Sequence, residues 1–191
     1  MKQVFPAACL ALSMGAACAA PVSYVIDPSH TFPSFEADHM GGVSVWRGKF
    51  NKSSGKVVMD RAAASGEVEI VIDMDSIDYG FDLMNTKAKS AELFDTARFP
   101  QSIYKGKLDG FVSGAPTKVT GVLTMHGVTR PLTLQINSFK CIPHPMLKRE
   151  LCGADALATL NRADYGIDAG KPWGFSMDVT LRIQVEAVAA E

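Results

Sequence analysis

Alternation of apolar and polar residues runs through most of the chain and predicts β-strands. Over residues 178–186 every second side chain is apolar and the intervening side chains are polar. This period of two is typical of a strand with one buried face and one wet face. Residues 119–125 and 132–137 show the same pattern, and residues 68–73 show it more weakly. Further strands are predicted over residues 23–27, 31–38, 43–50, 55–60, 101–107 and 154–161.

The dipeptide His126-Gly127 lies between two of these runs and predicts a β-hairpin. Two-residue connections that contain glycine are typical of tight hairpin turns. Pro131, near the start of the second run, has no N–H group to donate to a ladder. We therefore expect Pro131 at a sheet edge or at a bulge.

One stretch, residues 76–100, departs from the alternation and predicts a helical insert. Leu83, Lys87 and Ala91 are spaced by four residues in a window rich in helix-forming residues. Pro100 disfavours helical backbone at the residue before it. We expect one or two short helices around residues 80–97.

Many strands with one short helical insert favour a mainly β fold built from an antiparallel, closed or nearly closed sheet. The chain has 191 residues, of which 47% are apolar and 20% are charged. These values are typical of one globular domain and argue against a disordered chain. The formal net charge of −1 does not favour nucleic-acid binding, and no apolar run is long enough to predict a membrane span.

The first nineteen residues have the layout of a secretory signal peptide. Lys2 is followed by an apolar stretch and then by small residues, with Ala17 and Ala19 at the two positions that favour cleavage. A lipid-modified Cys18 is the alternative, but Gly15 occupies the place of the Leu-like residue that such a motif needs. We expect cleavage after Ala19, a domain over residues 20–191, and a periplasmic location.

Cys141 and Cys152 remain after this cleavage, and export favours a disulfide between them. The ten residues between them include two prolines and predict a loop. A cross-link would close about 12 residues and stabilise the fold by roughly 2–3 kcal/mol. The alternative is a metal site made by Cys141, His144 and Cys152, which lacks a fourth ligand and matches no standard zinc spacing.

Four histidines, His30, His39, His126 and His144, are the candidates for acid–base or metal chemistry. The sequence has no Gly-x-Ser-x-Gly elbow, no His-x-His pair and no His-Glu-x-x-His motif. It has no glycine-rich phosphate loop either. We therefore predict no cofactor, no metal and no enzyme activity, and we interpret the histidines as hydrogen-bonding groups at turns.

Several motifs together resemble the YceI-like family of exported bacterial proteins across about residues 22–187. They begin with Asp27-Pro28-Ser29-His30 and continue over residues 31–42, 48–50, 92–100, 121–132, 153–156 and 161–166. The joint order and spacing carry the resemblance, whereas any single motif is weak. The segment over residues 84–92 departs from the commoner wording of the family. Cys141 and Cys152 resemble the cysteine pair in one branch of it.

The resemblance implies an antiparallel, eight-stranded, lipocalin-like β-barrel that holds a lipid in its interior. Polyisoprenoids with prenylquinone-like tails and fatty amides are the ligands it implies, and a homodimer stays open. It supplies no catalytic residue. We expect the ligand cavity to be lined by apolar side chains of the inward faces and the helical insert: Phe35, Phe50, Ile70, Ile72, Phe81, Met84, Leu93, Phe94, Phe99, Leu123, Met125, Leu134, Ile136, Met177, Val179 and Leu181.

Two other classes of function stay open from the sequence. One is an enzyme that acts on a lipid head group, with His30, His39 or His126 as its acid or base. The other is a barrel filled by its own side chains that serves as a partner-binding or stress-protective module. A His→Ala series that keeps lipid binding but abolishes turnover would support the enzyme, and an exposed apolar patch in place of an internal void would favour the partner-binding module.

Overall fold

The structure is a computed structural model that describes residues 20–191. The expected signal peptide, residues 1–19, lies outside the described residues. One α-helix, α1 (Asp82–Lys89), and three short 3-10 helices (Met74–Ser76, Arg162–Tyr165 and Lys171–Trp173) accompany the strands of the described residues. The strands are β1 (Val22–Ile26), β2 (Ser34–His39), β3 (Ser44–Phe50), β4 (Ser53–Asp60), β5 (Ser65–Asp73), β6 (Ile77–Asp78), β7 (Gln101–Asp109), β8 (Lys118–Met125), β9 (Val128–Pro143), β10 (Glu150–Asn161) and β11 (Asp178–Ala189).

Eight strands close into an antiparallel barrel. Their order is β1-β4-β5-β7-β8-β9-β10-β11, and pairing of β11 with β1 completes the ring. The expected antiparallel eight-stranded barrel is therefore confirmed. Closure gives every strand of the ring a paired neighbour on each side, so no strand of the ring is an edge strand of the kind that favours aggregation.

The barrel is longer than β1 because β11 pairs with two short strands in succession. The first part of β11 (Val179 to Arg182) pairs with β2, and its last part (Ala187 to Ala189) pairs with β1. Strand β3 pairs with β2, and β6 pairs with β3, so these strands extend the wall at one end. The helix α1 follows β6 directly and contacts it, which places the helix at this same end.

The alternation in the sequence corresponds to inward and outward faces of the barrel wall. On β8, Val119 and Leu123 are buried, whereas Thr120 and Val122 are exposed. On β11, Val179 and Ala187 are buried at the two ends of the inward row. The side chains of one face therefore form a continuous apolar lining, as period-two alternation requires in a barrel.

The hairpin expected at His126-Gly127 connects β8 and β9. Met125 pairs with Val128, and the two turn residues have φ angles of 51° and 76°. Two successive positive φ values are those of a type I′ turn, whose twist matches the twist of paired strands. The His126 ring nitrogen Nδ1 lies 2.9 Å from the Tyr165 carbonyl oxygen, and this hydrogen bond holds the turn against the 3-10 helix.

Strand pairing explains the position of Pro131. Pro131 faces Val122 of β8, whereas the pairing of β9 with β10 reaches only as far as Gln135. Pro131 therefore lies in a stretch of β9 that is paired on one side alone. A residue without an N–H group is tolerated there because no second ladder needs its donor.

Two expected boundaries were wrong. The loop between the cysteines is shorter than the ten residues expected, because β9 runs through Pro143 and β10 begins at Glu150, so residues 144–149 alone form the connection. The helical insert is shorter than residues 80–97, since α1 ends at Lys89. The Ser90 hydroxyl donates to the Lys87 carbonyl at 2.7 Å and competes with continued helical bonding.

Candidate functional site

The interior of the barrel contains two apolar cavities along its axis. The first, called here the mouth cavity, has a volume of about 280 Å³ and lies at the end formed by β2, β3 and α1. Trp173 and Lys87 at its rim are exposed, so this cavity reaches the surface. The second, called the deep cavity, has a volume of about 110 Å³, and none of its lining residues is exposed.

The two cavities share no lining residue and follow each other along β11. Val179 and Leu181 line the mouth cavity, and Ile183, Val185 and Ala187 line the deep cavity. Successive inward positions on a strand are about 6.6 Å apart. The boundary between the cavities is therefore about one layer of side chains thick.

Aromatic rings form much of the wall of the mouth cavity. The Phe35 ring meets the Tyr79 ring edge-on, with centroids 5.5 Å apart. The His39 ring stacks on Trp46 at 5.0 Å and meets Phe175 at 5.2 Å. Rings packed in this way give large apolar surface with few rotatable bonds, which is how ligand cavities keep their shape.

The polar groups of the mouth cavity are concentrated near Arg162 and Asp38. Arg162 donates from one terminal nitrogen to the Ile167 carbonyl at 2.9 Å and from the other to the Ala169 carbonyl at 2.6 Å. Burial lowers the pKa of the Arg162 guanidinium below its ordinary value. The fold thus holds a cationic group in a mostly apolar wall.

The Asp38 carboxylate at the same mouth is occupied by backbone donors. It accepts from the N–H groups of Gly41 at 3.0 Å, Gly42 at 2.6 Å and Ser176 at 2.8 Å. The hydrogen bond from Ser176 is the main cause that holds the pKa of Asp38 below its ordinary value. Asp38 therefore ties the β2–β3 turn to the segment that leads into β11, and its role is to shape the rim.

The deep cavity has no charged residue in its lining. Tyr104, one of its two tyrosines, has a hydroxyl that lies 3.1 Å from the Val119 carbonyl oxygen and 3.0 Å from the Leu132 carbonyl oxygen, so its single proton is shared between these two acceptors. Burial raises the pKa of the Tyr104 phenol, so this group stays neutral at physiological pH. An uncharged, non-exposed cavity of this kind favours hydrocarbon over water.

The structure brings together most of the apolar residues that the sequence assigned to the interior. Those in the mouth cavity are Phe35, Phe50, Met84, Leu93, Phe94, Met125, Val179 and Leu181. Those in the deep cavity are Ile70, Leu134 and Ile136.

The other five residues of that set line neither cavity. Leu123 and Met177 are buried in the wall, and Ile72 packs against the buried cluster. Phe99 packs against the His126 ring, with centroids 4.4 Å apart. Phe81 is 53% exposed because it precedes the first residue of α1 and lies outside the helix face that contributes to the cavity.

Several lining residues were missed from the sequence. Tyr24 and Tyr104 lie in strands that were expected, on the inward faces that alternation defines, so that signal was available. Trp173 and Phe175 lie outside the strands, in the connection between β10 and β11. Alternation predicts the direction of a side chain only within a strand. It therefore gives no sign that a residue of this connection folds back over a cavity.

Asp27, Ser29 and His30 are close together but are not arranged as a catalytic triad. His30 and Ser29 both contact Asp27, and the Ser29 hydroxyl and the Asp27 carboxylate both lie on Nδ1 of His30, at 3.1 and 2.7 Å. A Ser-His-Asp relay needs the serine and the aspartate on opposite ring nitrogens. His39 lines the mouth cavity, whereas His126 is bonded to a backbone carbonyl at the hairpin.

The expected disulfide is confirmed. Cys141 and Cys152 face each other across β9 and β10 and are covalently joined. A zinc site with His144 is excluded because bonded sulfurs offer no thiolates, and the His144 ring instead accepts from the Met146 N–H at 3.1 Å.

One further group of possible metal ligands lies away from the interior. Asp27, His30 and Glu186 have ligand atoms within 4.8 Å of one another, and they lie outside both cavities.

Within residues 20–191, no helix combines the length and apolar character required to cross a membrane.

Comparison with known protein families shows to which family this barrel belongs. The model of the YceI-like domain matches residues 24–187, nearly the whole described chain. The chain belongs to the YceI-like family. A UPF0312 protein of Vibrio parahaemolyticus is 29% identical over 182 residues, which are 94% of this chain and 92% of that protein. Protein YceI of Escherichia coli is 29% identical over 187 residues, which are 95% of this chain and 93% of that protein.

Solved structures share the architecture of this YceI-like barrel. BcnA of Burkholderia cenocepacia superposes with a TM-score of 0.65 at 20% identity, over 84% of this chain and 98% of that one. A polyisoprenoid binding domain from Saccharophagus degradans superposes with a TM-score of 0.65 at 21% identity, over 88% of this chain and 99% of that one. At these identities the likeness concerns the fold.

Proposed function

We propose that this YceI-like protein binds a long-chain amphiphile and carries or sequesters it in the periplasm. The apolar tail lies along the barrel axis, and the polar head stays at the mouth. A polyisoprenoid with a prenylquinone-like head and a fatty amide are the ligand types that this arrangement suits. The protein acts as a binding protein and performs no chemistry on the ligand.

The observation that carries the proposal is the succession of two apolar cavities inside a closed barrel. The mouth cavity opens to the surface, and the deep cavity, which has no charged residue in its lining, follows it along the axis behind about one layer of side chains. Each methylene group moved from water into such a space contributes about 0.8 kcal/mol. A tail of many methylene groups therefore gains a large gross free energy, which the loss of ligand freedom offsets in part.

The polar groups of the mouth supply a place for the head group. Arg162 lines the mouth cavity, and its bonds to the Ile167 and Ala169 carbonyls use two of its five N–H groups. Lys87 of α1 lies on the same lining and pairs with Glu92. Carbonyl, phenolic or amide oxygens of a head group are acceptors that such donors bind.

The comparisons lend support through one named ligand. The Saccharophagus degradans domain that shares this architecture is described as polyisoprenoid binding. The barrel of the present chain offers the apolar interior that such a ligand needs, with different residues in most positions. The extension of that ligand class to this chain is our proposal.

Purification from the native periplasm tests the proposal directly. Native mass spectrometry followed by organic extraction is expected to reveal a co-purified isoprenoid or other long-chain lipid. Titration of delipidated protein with a prenylquinone, followed by tryptophan fluorescence, is expected to saturate. A protein that is isolated free of lipid and also fails to bind the prenylquinone would refute the proposal.

A matched pair of variants locates the binding site. Leu181→Trp places an indole inside the mouth cavity and is expected to weaken prenylquinone binding by about tenfold or more. Val122→Trp adds the same side chain on the outward face of β8, where Val122 is 40% exposed, and is expected to leave binding within about twofold. Equal binding by the two variants would place the ligand outside the barrel.

A further inference from the structure

The far end of the barrel is closed by a cluster of polar groups, called here the floor cluster. It consists of Tyr24, Arg61, Glu150 and the Cys141–Cys152 disulfide. The Arg61 guanidinium donates to both carboxylate oxygens of Glu150, at 3.1 and 3.0 Å. The Tyr24 hydroxyl donates to the same carboxylate. One guanidinium nitrogen of Arg61 also lies 2.9 Å from the Cys141 sulfur and 3.4 Å from the Cys152 sulfur.

The floor cluster joins three separate parts of the barrel. Tyr24 belongs to β1, Arg61 to the turn between β4 and β5, and Glu150 to the start of β10. The bidentate contact between Arg61 and Glu150 has the geometry in which such pairs are strongest. The hydrogen bonds therefore cross the end of the barrel rather than run along one strand, which is the arrangement of a closure.

The inner surface of the floor cluster belongs to the deep cavity. Tyr24 and Cys152 line that cavity and are 1% and 7% exposed. Burial, followed by the hydrogen bond to Glu150, raises the pKa of Tyr24 to about 12, so the phenol presents a neutral ring to the interior. Ala187 lines the same cavity and is also buried. A tail that enters from the mouth meets a closed, uncharged surface here.

The strand geometry gives the length of the bore. The inward positions of β11 run from Val179 in the mouth cavity to Ala187 in the deep cavity. Eight residue steps span roughly 26 Å along the strand, and strand tilt reduces this to roughly 20 Å along the axis. The deep cavity of about 110 Å³ compares with roughly 30 Å³ for one water molecule in the liquid. This volume is about that of a short hydrocarbon segment, so the deep cavity holds only the end of a tail.

We infer that the floor cluster sets the maximum tail length of the ligand that this barrel holds. The inference rests on the proposed function and adds a specificity-determining surface to it. A tail gains affinity with each added methylene until its end reaches Tyr24. Methylene groups beyond that length stay in water at the mouth and add nothing to the affinity.

A series of saturated fatty acids measures the length limit. Delipidated protein is titrated with caprate, laurate, myristate, palmitate, stearate and arachidate, each by displacement of bound Nile red. Affinity is expected to rise several-fold at each step and then to stop rising near palmitate or stearate, whose extended length is about that of the bore. The chain length at which the affinity stops rising, called here the break, is the quantity that the floor cluster controls.

Two substitutions move the floor in opposite directions. Ala187→Leu fills part of the deep cavity and is expected to bring the break forward by one or two members of the series. Tyr24→Val removes the ring from the floor and is expected to delay the break by a similar amount. Met74→Ala is the control, since Met74 is 2% exposed and lines neither cavity; its break is expected to stay in place. Circular dichroism shows whether Tyr24→Val folds. If Tyr24→Val does not fold, the position of the break in Ala187→Leu alone tests whether the floor limits the tail length.

The outcomes separate the inference from the function on which it rests. A wild-type protein that binds neither the fatty acids nor the prenylquinone contradicts the proposed function itself, whereas one that binds the prenylquinone alone overturns only the inference about tail length. A wild-type protein whose affinity rises through arachidate without a break binds amphiphiles but has no floor. A break that stays in place in the folded variants likewise overturns the role of Tyr24 and Ala187 while leaving lipid binding intact.

Discussion

The disulfide between Cys141 and Cys152 makes the most direct prediction about stability. Reduction of wild-type protein removes the covalent link while leaving both sulfur atoms in place. The two cysteines are 11 positions apart, so the link closes 12 residues when both ends are counted. The loop-entropy relation for 12 residues gives about 3 kcal/mol of stabilisation at 25 °C. Strands β9 and β10 pair on both sides of the link, so the native register does not depend on it.

The loss is measured as a difference between oxidised and reduced protein. Denaturant unfolding is expected to show a free energy of unfolding that is lower by about 3 kcal/mol after reduction. For a domain of this size the melting temperature is expected to fall by roughly 6–12 °C. A double variant, Cys141→Ala with Cys152→Ala, is expected to lose at least as much, because Cys152 is buried and its sulfur leaves a void.

The result that refutes this reasoning is a small difference. Oxidised and reduced protein that unfold within about 1 kcal/mol of each other would mean that the β9–β10 hairpin stays closed in the unfolded chain. A reduced protein that fails to fold at all would mean that the link fixes the register of β9 and β10. In either case the loop-entropy account of this cross-link would be wrong.

Three further predictions concern single residues. The hydrogen bond from Ser29 lowers the pKa of Asp27 to about 2 from its ordinary 3.8, so stability that is present above that ordinary value is lost as pH falls toward 2. Asp27→Asn is expected to flatten the pH dependence of urea midpoints in this window, and equal slopes would contradict it. Gly121→Ala is expected to destabilise by at least about 2 kcal/mol, since its methyl would lie 2.3 Å from the Lys105 carbonyl oxygen; unchanged chemical unfolding would count against the close approach of β7 and β8. Tyr104→Phe removes the donor to two buried carbonyls and is expected to cost roughly 1–3 kcal/mol in the same assay, with no change if those bonds are absent.

The sequence by itself determined the wall of this protein. Alternation along β8, β9 and β11 decides which side chains face inward, because successive residues of a strand point to opposite sides. The same rule is enough to assign Val179, Leu181 and Leu134 to the interior. The His126-Gly127 turn was also predictable from the sequence, because glycine adopts the positive φ that a tight hairpin requires. The disulfide followed from two cysteines in a chain with the layout of an exported protein.

The tertiary structure alone decided how the interior is divided and closed. The boundary between the two cavities depends on which side chains of different strands meet at one level of the barrel, and this follows from strand stagger, which alternation does not encode. Trp173 and Phe175 line the mouth cavity from the connection between β10 and β11. No alternation of apolar and polar residues predicts where their side chains point. The floor cluster joins Tyr24, Arg61 and Glu150, whose sequence separations of up to 126 residues give no sign that they meet. Local pattern fixes the face on which a side chain lies, whereas only closure of the sheet fixes its neighbours across the bore.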